Sequence, residues 1–256
     1  MTIAAPRPQV EFGQIFRQTF AVLGRNPVNF LIIALLFIGI PNALFGFLWP
    51  QTAGAALPTA ATWERLAALV VIASASGAIM QAAIIHGAVA DMNGRKSSLA
   101  ECLTAGLAQA LPVAAIGLLL GLAIIAGFIL LIIPGIIISL AFSVAVAAQV
   151  VENTGIIGAF QRSAVLTRNH RGVIFGVNFV IGLIIIVASG VMGAIVGGLI
   201  GAVAPTQVSL LVNVLVTPVT SAVTGTISAS SVAAIYFELR RVKEGVGTEQ
   251  LAALFD

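Results

Sequence analysis

The sequence predicts an all-α polytopic membrane protein, a bundle of six transmembrane helices arranged as three hairpins, each preceded by an amphipathic interfacial helix. Three observations lead there. The 256 residues are 59% hydrophobic and only 8% charged, with a mean hydropathy of +1.12, whereas about a quarter of the residues in soluble domains are charged. Apolar runs recur that are long enough to cross a hydrocarbon core of about 30 Å at roughly 1.5 Å per residue. The basic residues collect on one side of the six-span arrangement, as the positive-inside bias requires.

Residues 1–10 carry two prolines and are expected to form a loosely attached arm. Over 11–23, Phe12, Ile15, Phe16, Phe20 and Leu23 recur at helical spacing opposite Gln14, Arg17 and Gln18, the pattern of a helix lying in the interface. Asn26-Pro27 ends it, and span one follows over about 28–48. Pro41 inside that span removes a donor and frees a carbonyl, which Asn42 or a neighbouring helix is placed to satisfy. The segment 51–62, rich in Ala, Thr and Pro, is the loop to span two, 63–91, with Trp63 as an interfacial anchor. Asp91 closes that span, four residues before Arg95. Ser98-Leu-Ala-Glu101 reads as a capping box. It opens a second amphipathic helix with Leu99, Cys102, Leu103 and Leu107 on one face, where Gly106 leaves room for a neighbouring helix.

Residues 111–152 contain no Lys, Arg, Asp or Glu before Glu152. As one helix they would be about 60 Å long, twice the bilayer core, so the run must turn back. Pro134 and Gly135 at its middle are placed as that turn, between helices over 111–133 and 136–151. Asn153-Thr154-Gly155 is expected to cap a third amphipathic helix over 156–168. Span five takes 173–202, a turn at Pro205-Thr206 follows, and span six takes 208–239 with Thr217-Pro218 near its start. The polar tail, 241–256, carries a last short helix near Thr248.

The chain is therefore one membrane domain of three repeat-like units, about 11–92, 97–152 and 154–240. Ala21-Val-Leu-Gly-Arg-Asn26 recurs as Ala164-Val-Leu-Thr-Arg-Asn169, each at the end of an amphipathic helix. In such a stop signal the arginine complements the carbonyl end and snorkels to phosphates, and the asparagine suits a left-handed terminal position. With six spans, Arg7, Arg17, Arg25, Arg95, Lys96, Arg162, Arg168, Arg171, Arg240, Arg241 and Lys243 share a side, and Arg65 stands near the other. Crossing 111–152 once would split that set. The hairpin reading therefore wins, with both termini cytoplasmic. A cleaved leader is not expected, because the first apolar run begins near Val28, behind three arginines.

Composition also narrows the chemistry. A net charge of +3 and pI near 9.8 report orientation in a membrane protein, so no nucleic-acid partner is inferred. One cysteine and two histidines, with no phosphate loop or zinc spacing, give no expectation of a metal or cofactor. Span centres hold no Lys, Arg, Asp or Glu, the groups that pumps and ion-coupled transporters use there. The candidate intramembrane polar cluster is Asn42, Gln81, His86, Asn178 and Asn213, serving interhelical hydrogen bonds or lining a cavity. Asp91, Glu152 and Arg162 are candidate ion-pair or capping residues at the cytoplasmic side. Gly193, Gly197 and Gly201 on span five, and Ser221 and Gly225 on span six, repeat every four residues, so these spans are expected to pack closely on each other or on a second copy.

Ile132-Ile-Pro-Gly-Ile136, Val151-Glu-Asn-Thr-Gly155 with Ala159-Phe-Gln-Arg162-Ser163, and Tyr236 with Leu239-Arg240 and Glu244-Gly245 carry a resemblance. The chain resembles the bacterial six-span membrane proteins called glycerophosphoryl diester phosphodiesterase membrane-domain-like. The resemblance implies a six-span membrane domain, which relatives fuse to a soluble phosphodiesterase. Glu152-Asn153-Thr154 and His170-Arg171-Gly172 imitate that enzyme's metal and phosphate motifs, but their order is reversed and no barrel strands flank them, so Glu152 is read as a partner of Arg162 or as a cap. The expectation is a non-catalytic scaffold or partner subunit acting on membrane and lipid organisation. Its partners are anionic headgroups and a protein or second copy. The alternative is a conduit for lipid or a small apolar solute.

Overall fold

A computed structural model describes residues 10–48, 60–201 and 212–245. Among these residues the regular structure is helical, without a strand, and six helices are long and apolar enough to cross a membrane. The protein is an all-α polytopic membrane bundle. Helix α1 is Phe12–Arg25; span one comprises α2 (Pro27–Ala34), a π-helical turn Leu35–Gly39 and α3 (Ile40–Leu48). Span two is α4 (Ala60–Met92), followed by α5 (Leu99–Ala108) and span three, α6 (Ala110–Leu130). Span four divides into α7 (Ile132–Ala141) and α8 (Ala145–Glu152), and α9 (Gly155–Thr167) leads to span five, α10 (Arg171–Gly201). A second π turn, Val212–Val216, runs into α11 (Thr217–Glu244). The turn expected at Pro205-Thr206 and the helix near Thr248 lie outside the described residues.

The amphipathic segments form for the reasons their sequences suggest, and all three pack against the bundle. On α1 the buried stripe is Ile15, Thr19 and Val22, one helical face at steps of four and three. The Ser98–Glu101 capping box starts α5, with both reciprocal bonds at 3.2 Å. Helix α5 then presses on α4: a Cβ added at Gly106 would stand 2.8 Å from the Ile79 carbonyl oxygen, and one at Gly87 would stand 2.9 Å from the Cys102 sulfur.

Pro41 and Pro218 are absorbed in the same way. Pro41 and Pro218 each stand two residues beyond a five-residue π turn. A proline ring needs room where the carbonyl four residues earlier would stand, and the wider turn moves that carbonyl aside. The two turns face each other, the Pro218 carbonyl lying 3.8 Å from where a Cβ on Gly39 would be.

The hairpin of spans three and four reverses at Leu131 (φ −169°, ψ 151°) and not at Pro134-Gly135. Pro134 instead occupies the first turn of α7, where its missing N–H is one the helix leaves unpaired in any case. Gly135 is a contact point: a Cβ on Gly127 of α6 would stand 2.8 Å from its Cα. Span four is also not the single helix expected over 136–151, because the regular helix stops at Phe142–Val144. Ser163 and Thr167 of α9 mend the break. Both hydroxyls donate to the Ala141 carbonyl, at 2.9 and 3.0 Å, and the Val144 N–H donates to Ser163 Oγ at 3.3 Å. In hydrocarbon an unpaired backbone group costs several kcal/mol, so polar side chains of α9 make the interruption tolerable.

The core lies between α4, α8 and α11 and is built largely from alanine: Ala82, Ala83 and Ala88, then Ala147 and Ala148, then Ala229, Ala233 and Ala234, all buried. Small residues let backbones approach where a lipid solvent offers no hydrophobic drive. Helices α6 and α10 turn large apolar side chains outward, Leu118 and Ile129 on the first, Phe179 and Ile186 on the second. The face expected to join spans five and six is described only in part. A Cβ added at Gly193 would meet nothing within 4 Å, whereas one at Gly225 would stand 3.3 Å from Ile38 and from Met80, so span six turns Gly225 toward spans one and two. Ser221 is half-buried, and the surroundings of Gly197 and Gly201 lie outside the described residues.

Candidate functional site: the charged end of the bundle

The ends of α1, α4, α8, α9 and α11 meet at one end of the bundle, joined by polar side chains. Glu152 closes α8, and Asn153 after it takes the left-handed conformation (φ 51°); Asn153 thus ends α8 and does not cap α9, whose N-cap is Thr154 without a side-chain bond. The Glu152 carboxylate accepts from Arg162 Nε at 2.9 and 2.8 Å and from the Tyr236 hydroxyl at 2.7 Å. Arg162 also pairs with Glu244, which Arg240 holds at 2.9 Å, four residues away on α11. The Arg240 guanidinium stands 5.8 Å from the Tyr236 ring centroid. Two carboxylates and two guanidiniums thereby close a neutral network over α8, α9 and α11. Burial disfavours the Arg162 charge, but the Glu152 and Glu244 carboxylates outweigh it and hold the group firmly protonated. Such an arrangement fastens α8, α9 and α11 to one another.

A second joint lies between α1 and α4. Arg25 Nε and Asn26 Nδ2 both donate to Asp91, at 2.8 and 3.0 Å, so Asp91 takes its partner from the first repeat fragment and not from Arg95. Asn26 has φ −127°, outside the left-handed region its counterpart Asn169 (φ 71°) occupies. A third joint ties α1 to α11. Glu238, fully buried, pairs with Arg241 at 2.6 Å, and Arg241 also donates to Gln14. A fourth is all amide: Gln149 Nε2 donates to Gln109 at 3.0 Å and to Asn153 at 3.1 Å. The spacing Tyr236, Arg240, Glu244 puts three polar groups on one helical face and is the sequence signal that would have revealed the network. Nothing in the sequence marks Ser163 and Thr167, whose partner exists only because span four breaks.

One corner of this end differs. After α9 the chain makes a type II turn, Arg168 at φ −58°, ψ 130° and Asn169 at φ 71°, closed by the His170 N–H on the Thr167 carbonyl at 3.0 Å. Lys243 donates to the Val165 and Arg168 carbonyls. A recess of about 680 Å³ opens beside the turn, lined by Arg168, Asn169, Arg171 and Gly172 together with Ala164 and Val165. Burial, and then the Lys243 charge, hold the His170 imidazole below its ordinary value.

The intramembrane candidates are not brought together. Asn42, half-buried, lines an apolar cavity of about 430 Å³ with Pro41, Phe45, Ile72 and Ala73. His86 lies thirteen residues further along α4 than Ala73, roughly 20 Å away at 1.5 Å per residue. It stands near Arg95 and Glu101. Gln81 is half-buried between them, Asn178 is exposed on α10, and the Asn213 side chain lies outside the described residues. Among the described residues no group of three His, Cys, Asp or Glu is gathered that could hold a metal ion. No protein-family model, curated protein or solved structure matches the chain.

Proposed function

We propose that this integral membrane protein is a non-catalytic scaffold that holds anionic lipid, and through it a partner or second copy, against its charged end. By the positive-inside bias that end is the cytoplasmic face of a bacterial inner membrane, in line with the six-span proteins the chain resembles. The observation that carries the reading is how the charge is disposed. The carboxylates Asp91, Glu152 and Glu244 are taken up in ion pairs between helices, and Glu238 in one within α11. Arg17, Arg95, Lys96 and Arg168 are left exposed around them. Each cation near an anionic leaflet contributes about 1 kcal/mol of attraction. The alanine-packed meeting of α4, α8 and α11 supports a fixed platform.

The test is the lipid that the protein carries through purification in a mild detergent. Phospholipid extracted from the purified protein is expected to be enriched in anionic species relative to the membrane it came from. A lipid-free monomer, or lipid of bulk composition, contradicts the proposal. A conduit for lipid or a small apolar solute is the second reading, favoured by the cavity at Pro41 and Asn42. Under it, proteoliposomes would show flux that protein-free liposomes lack.

A further inference from the structure

Arg25, Arg162, Arg240 and Arg241 each face a carboxylate. Arg168 and Arg171 do not; among the described residues no carboxylate pairs with either, although both line the same recess. The Nε of Arg171 is shielded from solvent and has no hydrogen-bond partner among the described residues. Lys243 donates to the carbonyls of Val165 and Arg168 and so adds a third positive charge at the turn. Cations held this close repel unless a counter-charge joins them, and guanidinium forks match phosphate oxygens in shape as well as sign.

The surface below the recess indicates what carries the phosphate. Arg171 is the first residue of a helix apolar enough to span a membrane, so the recess stands at that span's polar edge. Phe175 and Phe179 follow it at four-residue steps on the same helical stripe, 48% and 61% exposed, with ring centroids 6.1 Å apart. A cationic recess continued by an outward aromatic stripe matches an amphiphile with a phosphate at its head and a hydrocarbon tail. Arg17 and Arg95 are also cationic and exposed, but neither lines this recess.

We propose that the recess formed by Arg168, Asn169, Arg171 and Gly172 is a binding site for the phosphate of an anionic phospholipid whose acyl chain lies along Phe175 and Phe179. The inference rests on the lipid-organising reading above and gives it a location. The turn supplies the geometry. Asn169 in the left-handed conformation reverses the chain within two residues, which brings the arginines on either side of it to one recess.

The experiment is native mass spectrometry of the full chain in detergent, titrated separately with phosphatidylglycerol, phosphatidylcholine and inorganic phosphate. Charge-assisted contacts are strong enough that Arg168→Gln with Arg171→Gln should weaken phosphatidylglycerol binding about tenfold or more. Arg95→Gln with Lys96→Gln removes the same charge from the same end and should weaken that affinity clearly less than the first pair does, as expected of screened exposed charges outside the recess. Arg168→Lys with Arg171→Lys, which keeps the charge and guards against a mere folding defect, should restore part of the binding. Phe179→Ser should weaken the lipid and leave inorganic phosphate unchanged. Equal losses from the two glutamine pairs, or none from the first, would overturn the site while leaving the lipid-organising proposal standing. If wild type binds inorganic phosphate through these arginines and retains no lipid, the phosphate recess survives and the lipid assignment falls.

Discussion

Glu152 shows how much of this molecule hangs on single polar groups. It ends α8, accepts two bonds from Arg162 and one from Tyr236, and stands 3.9 Å from Arg240. Glu152→Gln would strip one of two counter-charges from Arg162, Glu244 remaining, in a site where its side chain is 25% exposed, a loss of about 2 kcal/mol, read as a lower midpoint of thermal unfolding in detergent. Tyr236→Phe removes one neutral donor and should cost about 1 kcal/mol, so the two variants rank the charge above the hydroxyl. His170 supplies a pH test. Its folded-state pKa lies below the ordinary 6.5 because of burial and Lys243, so the unfolded chain binds the proton first. Its stabilising contribution is present above pH 6.5 and fades as the pH falls through that value toward the folded-state pKa. His170→Gln should flatten this part of the stability profile. At this scale the sequence was partly readable. The Glu152–Arg162 pair follows from charges placed at the two ends of a short connection, whereas Arg25 reaching Asp91 depends on how α1 turns back onto α4, which no local spacing encodes.

Among the elements, α5 is the clearest case of a helix whose docking can be watched. Cys102 lies beneath it, buried, its thiol raised above the ordinary range by burial, with partial relief from Ser97. The folded protein should therefore react slowly with a maleimide. Gly106→Val would force a side chain into the Ile79 carbonyl and Ala83, a clash worth about 1–3 kcal/mol, and each ~1.4 kcal/mol lost from local closure should speed labelling about tenfold. An unchanged rate would mean that α5 is not seated on α4. Span positions were legible because hydrocarbon thickness and helical rise leave little choice of length; the helices over 27–48, 110–130 and 171–201 follow the apolar runs closely. Irregular points were not. Proline predicts a disturbance, but whether it becomes a kink, a turn or a π turn depends on neighbours, and Pro41, Pro134 and Pro218 end in two different solutions. The gap at Phe142–Val144 has no proline, and its stabilisers sit on another helix.

At the scale of the whole molecule, packing and charge are both uneven. The buried alanines of α4, α8 and α11 make a close centre, while α6 and α10 carry exposed leucine, isoleucine and phenylalanine as a membrane solvent permits. Asp91, Glu152 and Glu244 are spent on joints between helices, and exposed basic groups remain at the same end. From this asymmetry follows the proposal of a platform for anionic lipid. Hydrogen–deuterium exchange tests it most directly, with the protein in nanodiscs of phosphatidylglycerol and, in parallel, of phosphatidylcholine. The account predicts slower exchange in the anionic discs at α1 and across the turn at 167–172, with the opposite end unaffected. Equal exchange in the two lipids at those segments, or protection confined to the other end, would contradict it.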